Sequence, residues 1–179
     1  MKKLLQPTTY NLKPSRGFTL IETLVALSIF STSIVVLIYL TSSGVANTNT
    51  AKNKFIASYL AQEGVEMARN IRDTAFLSGA DWEIFSGKLA ACAPANGCTI
   101  EPATLTVTPC LDLGCPVINY DASGFYNYLT GTPSIFTRTI IATDTGSSYE
   151  TNVSSVVSWL QGAKMHSVAF SENLLDWIK

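Results

Sequence analysis

The sequence predicts an α+β fold in which a long N-terminal helix, membrane-spanning in its first half and amphipathic in its second, precedes an antiparallel β head. Three observations predict it. An apolar run extends from Phe18 to Leu40, helical spacing of apolar residues continues to about Asp73, and the texture after Ser78 turns to Gly, Pro, Asn and Thr with short β-forming runs. The 179 residues leave room for one domain and an appendage, since a domain takes on the order of 100 to 150 residues.

Charged residues are 14% and apolar residues 47%, with a mean hydropathy of +0.24, a balance that opposes disorder and suits a partly membrane-embedded chain. A net charge of -1 gives no basic footprint for nucleic acid. The distribution of that charge is uneven. Residues 1–17 hold Lys2, Lys3, Lys13 and Arg16 and no acid, which leaves eight of the 12 bases against all 13 acids beyond Gly17.

Between Phe18 and Leu40, 16 of 23 residues are apolar and, apart from one carboxylate, the rest are Ser or Thr. A helix of this length reaches roughly 34 Å, enough for a bilayer core of about 30 Å. The basic flank predicts a cytoplasmic N-terminus and an extracytoplasmic body. A cleaved signal peptide fits less well, because the run is longer than an h-region and no A-x-A-like site follows Leu40.

Glu22 lies five residues into this run. A charge at the centre of a membrane helix costs about 2.5 to 3.5 kcal/mol, and somewhat less near an end. The four residues on either side, Phe18 to Ile21 and Thr23 to Ala26, are apolar or Thr, with Gly17 just beyond, and offer it no cation. Cleavage of the Gly17–Phe18 bond would create one, a free amino group on Phe18 that could neutralise Glu22 of a neighbouring subunit.

The run Ser15-Arg16-Gly17-Phe18-Thr19-Leu20-Ile21-Glu22 resembles the prepilin motif of type IV pilins and type II secretion pseudopilins: a basic leader ending in Gly, then Phe, with Glu as the fifth mature residue. The resemblance implies a type IV pilin-like fold, with the long helix laid on an antiparallel sheet. It implies that a prepilin peptidase cuts after Gly17, that Phe18 is N-methylated, and that Glu22 sets register against the Phe18 amine of an adjacent subunit. The implied partners are other pilin or pseudopilin subunits, the peptidase, an inner-membrane assembly platform with its ATPase, and membrane lipid before assembly. The implied location is the cytoplasmic membrane with the head outside, then an extracellular or periplasmic filament. The longer string from Gly17 to Phe30 is most similar to PilV-like minor pilins and pseudopilins, and residues 15–93 contain no proline to break the helix.

The expected layout is a cleaved leader over 1–17, an assembly helix over 18–40, its amphipathic continuation over 41–78, and a β head over 79–179. Within the continuation, Phe55, Ile56, Tyr59, Leu60, Met67 and Ile71 predict an apolar stripe that packs on the sheet, and Glu63, Glu66, Arg69, Arg72 and Asp73 a solvated face. Candidate strands are 104–108, 124–129, 135–143, 152–159 and 165–170, separated by turn signals at 121–124, 130–133, 144–146 and 161–162. Val153, Ser155, Val157 and Trp159 should share one face, with a hairpin closing near Gln161 to Lys164.

Cys92, Cys98, Cys110 and Cys115 fall in the loop-rich part. Outside the membrane they favour two disulfides over a zinc site, whose ligand pairs usually stand closer than the five residues between Cys92 and Cys98, or over free thiols. Three connectivities are open, the sequential one closing short loops bent by Pro94, Gly97 and Gly114. His166 is the only histidine, expected exposed or paired in the hairpin, and no nucleophile, zincin or phosphate-loop motif is present. The expectation is a non-enzymatic subunit with no cofactor and no metal. The alternative is a membrane-anchored adhesin or enzyme that borrows the prepilin export route and binds through the loop region 89–117.

Overall fold

The computed structural model describes residues 17–93 and 95–177; the leader bases Lys2, Lys3, Lys13 and Arg16 and the turn residue Pro94 lie outside them. Helix α1 runs over Leu20–Leu77, four residues beyond the expected end. Two compact units divide the chain between Ala46 and Asn47.

In the first unit the helix residues are exposed throughout, and an 18-residue window reaches a mean hydropathy of 2.3. By length and composition this segment can cross a membrane. Its hydroxyls do not oppose that. Thr23, Ser28, Ser31, Thr32, Ser33 and Thr41 each donate to a carbonyl three or four residues back, so their polar hydrogens are satisfied within the helix, as lipid requires.

In the second unit the helix lies against a seven-stranded antiparallel sheet. Its buried face is Ala57, Leu60, Ala61, Gly64, Val65, Met67, Ala68, Ile71, Ala75 and Phe76. Phe55 and Tyr59, expected on the packing stripe, are instead exposed and stack edge to face at 4.8 Å. Small residues won the inner face because they let the helix axis approach the sheet, whereas two large rings there would hold it off. A short helix α2, Trp82–Leu89, follows and ends in a single 3-10 turn at Ala90–Cys92.

The strands are β1 Cys98–Ile100, β2 Val107–Pro109, β3 Val117–Tyr120, β4 Tyr126–Asn127, β5 Thr132–Asp144, β6 Glu150–Gln161 and β7 Lys164–Leu175. β5 is the organising strand. Along one edge it pairs with β6 from Phe136 to Asp144, and β7 pairs outside β6; along the other edge it meets β3, then β1 at Ile140, with β4 and β2 beyond them. The β6–β7 hairpin closes Gln161 against Lys164 around Gly162 and Ala163, and Gly162 takes φ +62°, which the tight reversal demands. Val153, Ser155, Val157 and Trp159 are all buried against the core. One core cluster gathers Met67, Ile71, Phe85, Leu89, Ile100, Ile140 and Leu174, another Leu60, Ile118, Phe136, Val157 and Trp159.

The expected strand over 104–108 begins only at Val107. Leu105 at φ +55° and the Leu105 N–H to Glu101 O bond of 2.8 Å make the preceding residues a turn. That over 124–129 shrinks to two residues, because the Asn127 carboxamide oxygen accepts from Leu129 N and Thr130 N and turns the chain. Thr132 and Pro133, expected in a turn, start β5.

The cysteines are joined Cys92 to Cys98 and Cys110 to Cys115. The first pair is fully buried; in the second, Cys115 is half-buried.

Candidate processing and assembly site

The helix starts where the sequence placed its chemistry. Gly17 and Phe18 precede it in non-helical backbone, both exposed, and Phe18 is 80% accessible. Thr19 stands at the N-cap position: its main-chain oxygen accepts from Glu22 N at 3.1 Å and Thr23 N at 3.2 Å, and its hydroxyl accepts from Glu22 N at 3.4 Å. This is one half of a capping box, Thr-x-x-Glu, with Glu22 at N3. The signal was readable as Thr19-Leu20-Ile21-Glu22 ahead of an apolar run, but Thr19 had no role in the sequence reading.

Glu22 occupies the first turn, where the positive end of the helix dipole favours an acid by about 0.3 to 1 kcal/mol. Among the described residues its carboxylate has no ion pair and no hydrogen bond. It lines a shallow groove of about 540 Å³ with Thr19, Ile21, Val25, Ala26 and Ile29. The arrangement is an acid fixed at the head of an apolar rod, a few residues after the exposed Gly17 and Phe18. The rod's end can cancel part of the charge cost, and a cation from elsewhere would cancel the rest.

A second polar constellation, in the sheet-bearing unit, is structural. Arg138 is fully buried. Its Nη1 donates to Leu60 O at 3.2 Å and to Glu63 Oε2 at 2.6 Å, its Nη2 donates to Ile100 O at 3.3 Å, and its guanidinium carbon lies 5.6 Å from the centre of the Tyr128 ring. Burial pushes the Tyr128 phenol above its ordinary value; the nearby Arg138 charge opposes that only in part, and no hydrogen bond of ordinary geometry forms between them. Glu63, expected on a solvated face, is thus the outer partner of a buried cation. Arg69 likewise joins Glu66 to Glu172 of β7, and Arg72 donates to Asp73 at 2.8 Å. Arg138 was not singled out in the sequence, although it occupies an inward position of an alternating strand, Phe136-x-Arg138-x-Ile140.

The acids and the histidine are not brought together. Asp81 and Glu83 line a cleft with Asp176, Phe76, Trp82 and Tyr149, whereas His166 stacks on Trp159 at 5.4 Å in the β6–β7 hairpin.

An apolar helix long enough to cross a membrane, with one acid in its first turn, followed by a sheet-bearing unit, makes this an α+β chain consistent with a pilin-like fold. Residues 12–38 match the family model described as the prokaryotic N-terminal methylation motif, which indicates a type IV pilin-like chain processed as a prepilin. No curated protein and no solved structure matches the chain.

Proposed function

We propose that this chain is a structural subunit of a type IV pilus or a related secretion filament, of the minor pilin or pseudopilin kind. It is made with a basic leader over 1–17, anchored by the helix over 18–40, and carries the continuation over 41–78 and the head over 79–179 on the far side of the membrane. Peptidase cleavage after Gly17 frees the Phe18 amine, which is then methylated. Glu22 of one subunit meets that amine on a neighbour as the assembly platform and its ATPase draw the subunit into the filament. The observation that carries the reading is Glu22, which has no ion pair among the described residues, at the head of an apolar helix and inside a segment that matches the methylation motif.

Mass spectrometry of the protein from cells with the complete assembly apparatus tests it. A methylated Phe18 terminus is the expected result, and an intact Met1 or a terminus beyond Leu40 would overturn it. Glu22→Ala is expected to be cut normally and to be absent from filaments; incorporation at the level of the unsubstituted chain would remove Glu22 from the mechanism.

A further inference from the structure

β7 ends the sheet on one side, paired only with β6. Its hairpin turn has two residues, so Gln161 and Lys164 form a hydrogen-bonded pair, and the alternation that follows sends the main-chain groups of each even-numbered residue of β7 toward β6. The bond from Asp176 N to Tyr149 O at 2.9 Å keeps that alternation to the far end of the strand. The N–H and C=O of Met165, Ser167, Ala169, Ser171 and Asn173 therefore point off the sheet, and none of them is bonded among the described residues.

An open edge of this kind is a template for another strand, and folded chains usually blunt it with proline, a bulge, charge or brevity. The other edges are blunted: β2 has three residues and ends in Pro109, and β4 has two. β7 has twelve residues, no proline and an unbroken register with β6, and small side chains stand at Ser167, Ala169 and Ser171, where a neighbour would approach. Beside this edge, on the helix side, lies a pocket of about 210 Å³ bounded by Val65, Glu66, Arg69, Phe170 and Glu172. Phe170 is 38% accessible. An apolar cavity of about 150 Å³ already admits a benzene ring, so a leucine side chain fits over Val65 and Phe170. Arg69 bridges Glu66 and Glu172, and one base against two acids leaves the rim net negative.

We propose that the β7 edge binds an extended segment of a different protein as an added antiparallel strand, with an apolar residue opposite Phe170 in the pocket and a basic residue opposite Glu172. Donors and acceptors that repeat about every 7 Å along one line are met in full only by another polypeptide backbone, while the pocket selects a side chain. Copies of this chain do not supply that strand. β2 and β4 are too short, and β7 runs in the same sense as α1, from Gln161 beside Thr50 to Glu172 beside Arg69. Two β7 edges paired antiparallel would thus set their helices in opposite directions, whereas chains anchored alike in one membrane hold them parallel. The inference goes beyond the filament reading and stands on the sheet edge itself.

The test uses the purified full-length chain in detergent micelles and a synthetic peptide with blocked ends, Thr-Lys-Thr-Leu-Thr-Val-Thr. Residue-resolved amide exchange is expected to slow at Ser167, Ala169 and Ser171 and to stay unchanged at Val168 and Phe170, the period-two signature of an added strand. N-methyl groups on the two threonines that flank the leucine, glycine in place of that leucine, or Ala169→Pro in the chain should each weaken binding about tenfold. Ala169→Pro spares the β6 ladder because its nitrogen faces out. The N-methylated peptide leaves the protein untouched, so it decides the matter should the proline variant fold poorly. No binding, slowing at consecutive residues or elsewhere, full binding by the N-methylated or glycine peptide, or protection of the same amides in the chain alone as its concentration rises would overturn the proposal.

Discussion

Gly64 of α1 and Ser155 of β6 meet so closely that a methyl group on Gly64 would fall 2.2 Å from Ser155 Oγ and 2.9 Å from its Cβ. The helix is pressed to the sheet at this point, and the aliphatic part of Arg138 closes the same spot at 3.2 Å. Gly64→Ala is therefore expected to lower stability by about 1 to 3 kcal/mol in spite of the better helix propensity of alanine. Thermal unfolding of the purified protein reads it, and an unchanged midpoint would mean that the helix can lift away freely.

Arg138 and Glu63 should respond unequally. Arg138→Ala removes one donor each from the carbonyls of Leu60 and Ile100, takes away the partner of Glu63 and opens a cavity, a combination expected to cost about 3 to 5 kcal/mol. Glu63 is partly exposed, so Glu63→Gln keeps an acceptor beside Arg138 and should cost about 1 kcal/mol. Denaturant unfolding of the two variants gives the comparison, and equal losses would contradict the assignment of Arg138 as the clasp.

Tyr128 sets an alkaline limit. Its hydroxyl is buried without a hydrogen-bond partner among the described residues, and its folded-state pKa lies above the ordinary value of 10.0, so the folded chain retains a proton there that the unfolded chain gives up. Its contribution is complete below about pH 10 and is lost as the pH rises from there through the higher folded value. Tyr128→Phe removes an unsatisfied hydroxyl and keeps the ring near Arg138, so it should match or exceed the unsubstituted chain in stability near neutral pH. The gap between the two should widen above pH 10 in parallel unfolding titrations; curves that stay parallel would assign the alkaline loss to other groups.

The disulfides should reduce in order. Cys92 and Cys98 are both fully buried, whereas Cys115 is partly open to solvent. Under mild reductant and without denaturant, alkylation is expected first at Cys110 and Cys115, with Cys92 and Cys98 protected until the head unfolds. Peptide mapping over a reduction time course would show it, and simultaneous labelling of all four would argue against a protected first pair. Loss of the Cys92–Cys98 link should then cost about 2 kcal/mol, the value the chain-entropy model gives for so short a loop.

The parts of the fold that were legible in the sequence are those written in local patterns. The apolar run of the helix, the alternation Val153-x-Ser155-x-Val157-x-Trp159 and the turn at Gly162 each specify themselves within a few residues. The stripe Phe55–Tyr59 misled because helical spacing says which residues share a face and not which face is wanted inward. That choice was made by Gly64, Ala57 and Ala61, whose value lies in how near they let a strand come. β1 and β3 are three and four residues long and exist through pairing with β5, a long-range fact with no local signature. Arg138 was hidden in the same way, since its partners on the helix lie more than seventy residues away in sequence.

At the candidate assembly site the geometry adds a rival to the ion pair, and one substitution separates them. Thr19 at the N-cap accepts from Glu22 N, the half of a capping box that does not use the Glu22 side chain; the other half, a bond from Thr19 N to an acceptor at N3, is absent among the described residues, yet position N3 is where such an acceptor has a local use. Glutamine serves that local role nearly as well and carries no charge. If capping is all that Glu22 provides, Glu22→Gln should assemble like the unsubstituted chain, and Thr19→Val should impair assembly as strongly as Glu22→Ala. If the charge meets the Phe18 amine of another subunit, Glu22→Gln should fail as Glu22→Ala does, and Thr19→Val should lose only the cap, about 1 kcal/mol of helix stability. The filament reading predicts the second pattern: both Glu22 variants cut after Gly17, neither recovered in sheared filaments, and Thr19→Val recovered in near-normal amount. Quantifying the subunit in membrane and filament fractions decides the matter, and Glu22→Gln found in filaments at full level would leave Glu22 as a cap and nothing more.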